Sequence, residues 1–232
     1  MKRVKGWGLI AGVIFSFAGI PVVLYAQSSV SGRVIFDGTP PAVEKVEVKS
    51  DMAVCGKEKE VRKILLGVDQ GVANAVVRVI GAKGPMPSKD GSLDQVNCEF
   101  VPHVQVIPAE AKLKITSSDS VLHNSHGFYE DNSTAFNIAV PIVGMEVSHK
   151  MDKPGVVRLR CDAGHTWMSG YIFVTEEPFY ALTDADGNFN IDGIPAGSYE
   201  IEVWQEWLGK IRQPVTVKEG AAEKVEIHLK SA

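Results

Sequence analysis

Several functional classes are excluded by what this chain lacks. Lys and Arg nowhere run together with aromatics between them, and a net charge of −4 with a pI near 5.9 offers phosphate no general attraction, so nucleic acid is not an expected partner. No cluster of nucleophile and general base stands out, and an enzyme is not expected. Beyond the N-terminus no convincing amphipathic helix occurs, which argues against a helical protein. Cysteine is scarce: with three in 232 residues, one thiol is left over after any pairing. What remains, 45% hydrophobic and 22% charged, is the composition of a globular chain with a proper core in one or two domains.

One long apolar run stands apart. Met1 to Lys5 is basic, Gly6 to Tyr25 is almost wholly uncharged, and Ala26 to Ser29 has the look of a cleavage region. Residues 1–26 therefore read as an export signal or, if retained, a membrane anchor, and no cysteine follows for lipidation. The protein is expected in the periplasm or outside the cell, with a membrane contact only if that segment stays. Export also implies an oxidising compartment in which spare thiols pair.

After the signal, turn residues separate short alternating runs. Val30 to Phe36, Lys45 to Lys49 and Ala75 to Ile80 read as strands. Lys57 to Arg62 is charged and reads as a short helix or solvated loop, and Gly81 to Asp94 as a surface loop. From Phe100 the strand signals come quickly, at His103 to Ile107, Leu113 to Thr116, Phe136 to Val140, Met145 to His149, Val156 to Arg160 and Tyr171 to Val174. The expectation is an all-β protein built of sandwiches or barrels.

Chemistry concentrates in Arg160-Cys161-Asp162-Ala163-Gly164-His165-Thr166-Trp167-Met168. A thiol, an imidazole and a thioether this close can be aimed inward by one loop. Thiolate and thioether are soft donors that suit copper, whereas zinc rarely takes methionine and magnesium takes none of the three. Two imidazoles, one thiolate and a weak axial thioether make a familiar copper donor set, so another histidine is required. His123 is the candidate and His126, three residues on, is its rival. With Cys161 wanted by the metal, Cys55 and Cys98 remain as the disulfide pair. His103, His149 and His228 lie in strand-like runs, where a hydrogen-bonded or solvent-facing imidazole is the ordinary reading.

These segments resemble the cupredoxin family. In that family an upstream His-Asn pair joins a Cys, His and Met loop between the last two strands. The resemblance implies a single copper held by His123, Cys161, His165 and Met168, with Asn124 and Asp162 tying the two ligand segments together. It favours His123 over His126 because Asn124 follows His123. The loop spacing, Cys-x3-His-x2-Met, equals the second half of a dinuclear copper loop, but that loop needs a cysteine where Val157 stands, so the site reads as mononuclear. The resemblance further implies electron transfer to a redox partner protein, with His165 as the exposed edge.

The final third resembles a second family, the carboxypeptidase-regulatory-like, transthyretin-like β-sandwich, through Thr183-Asp184-Ala185-Asp186-Gly187 and Ile194-Pro195-Ala196-Gly197-Ser198-Tyr199. The opening motifs of that family match Gly32-Arg33-Val34, Gly38-Thr39-Pro40 and Ala75-Val76-Val77. The resemblance implies a discontinuous sandwich of residues 28–82 and 178–232, with a cupredoxin-like unit at 98–176 inserted in one of its loops. Two consecutive domains are the alternative. Asp184 and Asp186 suggest a calcium loop, but Pro195 stands where the twelfth-position glutamate belongs, so a tight turn is expected. A non-catalytic binding or scaffolding protein, with structural, stored or no copper, is the competing functional class.

Overall fold

The computed structural model describes residues 28–231, and nearly all of its regular structure is β. Its helical pieces are the single turn Met52–Cys55 and a 3-10 turn at Val68–Gln70. The chain is all-β, as the short alternating runs predict. The export signal expected at 1–26 lies outside the described residues. Among the described residues no helix is long and apolar enough to cross a membrane.

Strands from the two ends of the chain pair with each other. Ser29–Phe36 lies between Asn188–Asp192, antiparallel, and Ala222–Leu229, parallel. Val76–Ile80 lies between Tyr180–Leu182 and Gly197–Gln205, and the latter forms a hairpin with Gly209–Val217. The inward residues of both sheets, among them Val30, Val34, Val77, Val79, Ile201 and Ile227, fill one core. At Gly32 the parallel neighbour comes so near that a Cβ would fall 2.0 Å from the Val225 carbonyl oxygen, which accounts for glycine inside a strand. The Asp184 carboxylate accepts from the N–H groups of Asp186 and Asn188 at 2.9 and 2.8 Å. This is the expected tight turn, an Asx turn that launches Asn188–Asp192.

Residues 91–175 build two further sheets. One runs in the order Thr134–Val140, His123–Phe128, Gly155–Arg160, Ser169–Thr175, Val104–Pro108. The other runs Val147–Lys150, Lys112–Ile115, Gly91–Val96, Glu99–Val101. Leu93, Ile107, Leu113, Ile115, Leu159 and Ile172 pack between them. Two local readings change here. Gly91–Val96 is a strand rather than part of a loop, because Gly91, Leu93 and Gln95 are buried while Ser92 faces water. Glu58–Val61 is a strand rather than a helix or loop: it pairs with Glu44–Glu47, and Lys45 meets Glu58 across the pair at 2.7 Å. Segment 44–61, grouped by sequence with 28–82, packs instead on the second core through Val46, Val48, Val54, Cys55 and Val61.

A third cluster joins the two bodies. Val76 and Trp204 from one meet Val104, Val106, Val156 and Phe173 from the other. Val104–Pro108 is consequently buried along its whole length. Trp204 lies edge-on to both Tyr171 and Phe173, with ring centroids 5.6 Å apart in each case. Beside it the Arg78 guanidinium sits 4.8 Å over the Phe173 ring and pairs with Glu202, which also takes Arg212 at 2.8 Å. Burial pushes the Glu202 carboxyl up, but hydrogen bonds from Arg78 and Arg212 outweigh burial and hold it below the usual value. A depressed folded-state pKa contributes stability above the unfolded value, about 4.3, and loses it as the pH falls further. Glu202→Ala is expected to cost about 3 kcal/mol at neutral pH, since two arginines lose a buried partner. Urea unfolding of both proteins at falling pH should show that cost shrinking below about pH 4; a constant cost would remove the charge from the explanation.

Candidate metal centre

His123–Phe128 is a central strand, paired with Thr134–Val140 and Gly155–Arg160. Strand alternation turns His123, Ser125 and Gly127 inward and Asn124 and His126 outward. Three residues apart in an extended strand, His123 and His126 must face opposite sides. Cys161 is the first residue past Arg160, and the loop from there returns into Ser169–Thr175. Two tight contacts fold that loop: Thr166 N–H donates to the Gly164 carbonyl at 3.1 Å, and Met168 N–H to the His165 carbonyl at 3.0 Å. Gly164 has φ +95°, a conformation that glycine adopts without cost. As a result Cys161, His165, Trp167 and Met168 are buried while Asp162, Gly164 and Thr166 face water.

Three donor atoms converge. His123 Nδ1 and His165 Nδ1 are 2.9 Å apart, and Cys161 Sγ is 3.8 Å from the first and 3.7 Å from the second. Both imidazoles are fully enclosed, and Cys161 is buried beside them. Each histidine's other nitrogen is already committed: His123 Nε2 meets Asp119 Oδ2 at 2.9 Å, and His165 Nε2 meets Asp51 Oδ2 at 2.9 Å. A carboxylate at Nε2 keeps the proton there and presents the Nδ1 lone pair inward, the arrangement of a metal-ligating histidine. Burial outweighs the neighbouring carboxylates and lowers the His123 pKa, which favours the neutral form a ligand needs. Two enclosed nitrogens at this distance repel unless a cation lies between them, either a shared proton or a metal ion.

The donor set fits a first-row ion. Nitrogen at about 2.0 Å and thiolate at about 2.3 Å from one centre stand about 3.7 Å apart at a trigonal angle, as both sulfur–nitrogen pairs do, while two such nitrogens would stand about 3.5 Å apart, wider than the observed 2.9 Å, so a bound ion would part the imidazoles. Two imidazoles and a thiolate are a donor set that suits copper, and Met168, buried in the same cluster as Cys161 and Trp167, supplies a soft side chain in the same loop.

The other residues singled out from the sequence fall into place individually. Asn124 and Asp162 link the two ligand segments: Asp162 N–H donates to Asn124 Oδ1 at 2.5 Å. His126 points away, donating from Nδ1 to Asp162 at 2.5 Å, meeting the Thr134 hydroxyl at 3.1 Å and stacking on Phe128, so it is not part of the donor cluster. Cys55 and Cys98 are bonded and Cys161 is free. The exposed edge implied for His165 is absent: its ring has no accessible surface, because Asp51 and the hairpin at 44–61 cover it. Asp51, Asp119 and Trp167 are the residues that sequence reasoning missed. Asp119, four before His123, lies within reach of a local search, whereas nothing in sequence joins Asp51 to His165, 114 residues away.

No family model matches the chain, and no curated protein does. Among solved structures it is similar to a purple cupredoxin from Nitrosopumilus maritimus, at 22% identity and TM-score 0.33 over 37% of this chain and 100% of that one. A copper-containing nitrite reductase from Thermus scotoductus matches at 23% identity and TM-score 0.33, over 42% of this chain and 24% of that chain. Amicyanin from Paracoccus versutus matches at 13% identity and TM-score 0.33, over 43% of this chain and 97% of that one. At these scores the similarity is coarse and partial, and the case for a metal rests on the side chains.

Opposite orientations on one strand make a direct comparison. His123→Ala should abolish stoichiometric copper uptake, and His126→Ala should leave it within about threefold of the parent, the scale of a surface substitution worth about 0.5 kcal/mol. Copper titration of the two variants measures this, and uptake lost with His126 but kept without His123 would reverse the assignment.

Proposed function

We propose that this protein is an exported electron carrier that would hold one copper ion through His123, Cys161 and His165, with the Met168 thioether as a weak further donor. The observation that carries this reading is the enclosed convergence of two Nδ1 atoms and one Sγ, each imidazole braced by a carboxylate. Bound copper would supply a one-electron couple. The chain's own residues supply what such a couple needs. Cys161 offers a polarisable thiolate, and the two imidazoles suit either oxidation state. The His123 strand and the hydrogen-bonded Cys161 loop hold those donors on a sheet, so a change of charge meets little freedom to rearrange.

With His165 enclosed, Trp167 is the aromatic group that leads outward. Its ring centroid is 5.3 Å from that of His165, and its indole N–H donates to the Cys98 carbonyl at 2.9 Å. Trp167 lines a cleft of about 350 Å³ with Lys59, Arg62, Phe100 and Met168, and another with Gly164 of its own loop and Glu47 on the other strand of the hairpin. A redox partner protein reaching either cleft would approach the centre through this ring. We further infer that the copper unit is an insertion in a carboxypeptidase-regulatory-like sandwich, a reading supported by the pairing of Ser29–Phe36 and Val76–Ile80 with strands after residue 180. The enclosure of His165 favours one other reading, an exported binding or scaffolding protein whose copper is structural or stored.

A visible spectrum of the oxidised, copper-loaded protein separates the readings. An intense thiolate-to-copper band is expected, Cys161→Ser should abolish it, and Met168→Leu should keep the copper and raise the potential, since a weak donor favouring Cu(II) is lost. Copper bound without that band, or a couple that cannot be cycled, would leave the structural or storage reading in its place.

A further inference from the structure

The residue that closes the His165 edge comes from outside the sheets that carry the donors. Asp51 lies between Glu44–Glu47 and Glu58–Val61, at the head of the turn Met52–Cys55. Its carboxylate receives His165 Nε2 at 2.9 Å, and its carbonyl accepts the Cys55 N–H at 2.9 Å. Cys55 is then bonded to Cys98, whose own N–H donates to Asp119 Oδ2 at 2.7 Å, and Asp119 in turn holds His123. The two carboxylates that orient the two imidazoles are thus joined by one covalent link. Asp51 is held in the left-handed region, φ 57° and ψ 27°, where aspartate, asparagine and glycine are tolerated and other residues are strained. His165 is fully enclosed, although the Asp51 side chain is itself 38% exposed, so this carboxylate lies between the ring and water.

We infer that Asp51 is a positioning residue of the metal centre: presented by the disulfide-tethered hairpin, it fixes the tautomer and orientation of His165, shields its outer nitrogen from water and sets its electrostatic surroundings. This rests on the copper reading above and adds a role for a segment that the donor-bearing sheets do not require. An anionic carboxylate on a ligating imidazole strengthens the ligand as a donor and stabilises the more highly charged metal state. The shielding does not depend on metal, because the same contact covers Nε2 whether Nδ1 faces an ion or the His123 ring.

Two substitutions compatible with the backbone separate these roles. Asp51→Gly removes the carboxylate and suits the positive φ; Asp51→Asn keeps the hydrogen-bond acceptor and removes the charge. Copper affinity should fall about 10–100-fold in Asp51→Gly, measured by Cu(II) competition against a chelator, and by much less in Asp51→Asn. The potential should rise in Asp51→Asn, an effect that a merely structural residue would not produce. Diethyl pyrocarbonate, which acylates an unprotonated imidazole nitrogen, should leave His165 unmodified in the metal-free parent and metal-free Asp51→Asn but modify it in metal-free Asp51→Gly, read by peptide mass mapping. Unchanged affinity and an unmodified His165 in Asp51→Gly would overturn the inference. If the parent takes up no copper, the proposed function fails, while the modification rates of metal-free parent and Asp51→Gly still decide whether Asp51 positions and covers His165.

Discussion

The 2.9 Å approach of His123 Nδ1 to His165 Nδ1, both rings closed off from bulk solvent, is the constraint on which the rest of the site depends. Two lone pairs facing each other in a low-dielectric interior are unfavourable without a cation, so the protein must hold them there by other means. It does so from behind. Asp119 and Asp51 occupy the outer nitrogens, the Asn124–Asp162 contact ties the histidine strand to the thiolate loop, and Trp167 packs beside His165. The supports come from the hairpin, from the turn before the histidine strand, from that strand and from the thiolate loop, and the disulfide links the segments that carry the two carboxylates. A donor cluster braced this way would keep its donors turned toward one another whether a proton or a metal ion lay at its centre.

How much of this could be read from the chain depended on distance in sequence. Cys161, His165 and Met168 were legible because eight residues hold all three and the alternation on either side marks strands. His123 was legible as a partner, but the choice against His126 needed strand phase, which places residues three apart on opposite faces. Gly91–Val96 was hidden because Ser, Asp and Gln on a strand look like loop composition. Glu58–Val61 was hidden because its stabilising cross-strand charges resemble a solvated helix. Asp51 left no mark at all: its contact is made across 114 residues by a hairpin whose own packing partner, the second core, is fixed by a disulfide rather than by any local pattern.

The two bodies of the molecule divide their labour physically. Ser29–Phe36 and Val76–Ile80 pair with strands after residue 180, so the ends of the chain form one core while the residues between them form another. The loop ends that receive the second body therefore lie close together, which is the condition under which such interposition costs little folding free energy. Contact between the bodies is not incidental. Trp204 fills a site among Val104, Val156 and Phe173, and the Arg78–Glu202–Arg212 group borders it with compensated charge. Arg78, Glu202 and Arg212 all belong to the first body, and Glu202 holds the Arg78 guanidinium over Phe173 of the second, so a small rotation would part that cation from the ring.

Hairpin 44–61 complicates this division, and its position has a consequence for how electrons could pass. It is covalently continuous with the first body yet packs on the second, and it closes the ring that a bare copper sandwich would be expected to present to a partner. Enclosing His165 lengthens any path through that imidazole and lowers the local dielectric, which strengthens the hold of Asp51 on its Nε2. If the chain is an electron carrier as proposed, the short path outward would run through Trp167, whose ring centroid lies 5.3 Å from that of the same imidazole at the wall of a cleft bordered by Lys59 and Arg62. Both cations are already paired within the same cleft, Lys59 with Glu99 at 3.1 Å and Arg62 with Glu60 at 2.7 Å, so a partner would meet a balanced polar rim there rather than a field of one sign. The hairpin thus has two effects on one site: it removes the solvent from the ligand and builds the wall against which recognition can occur.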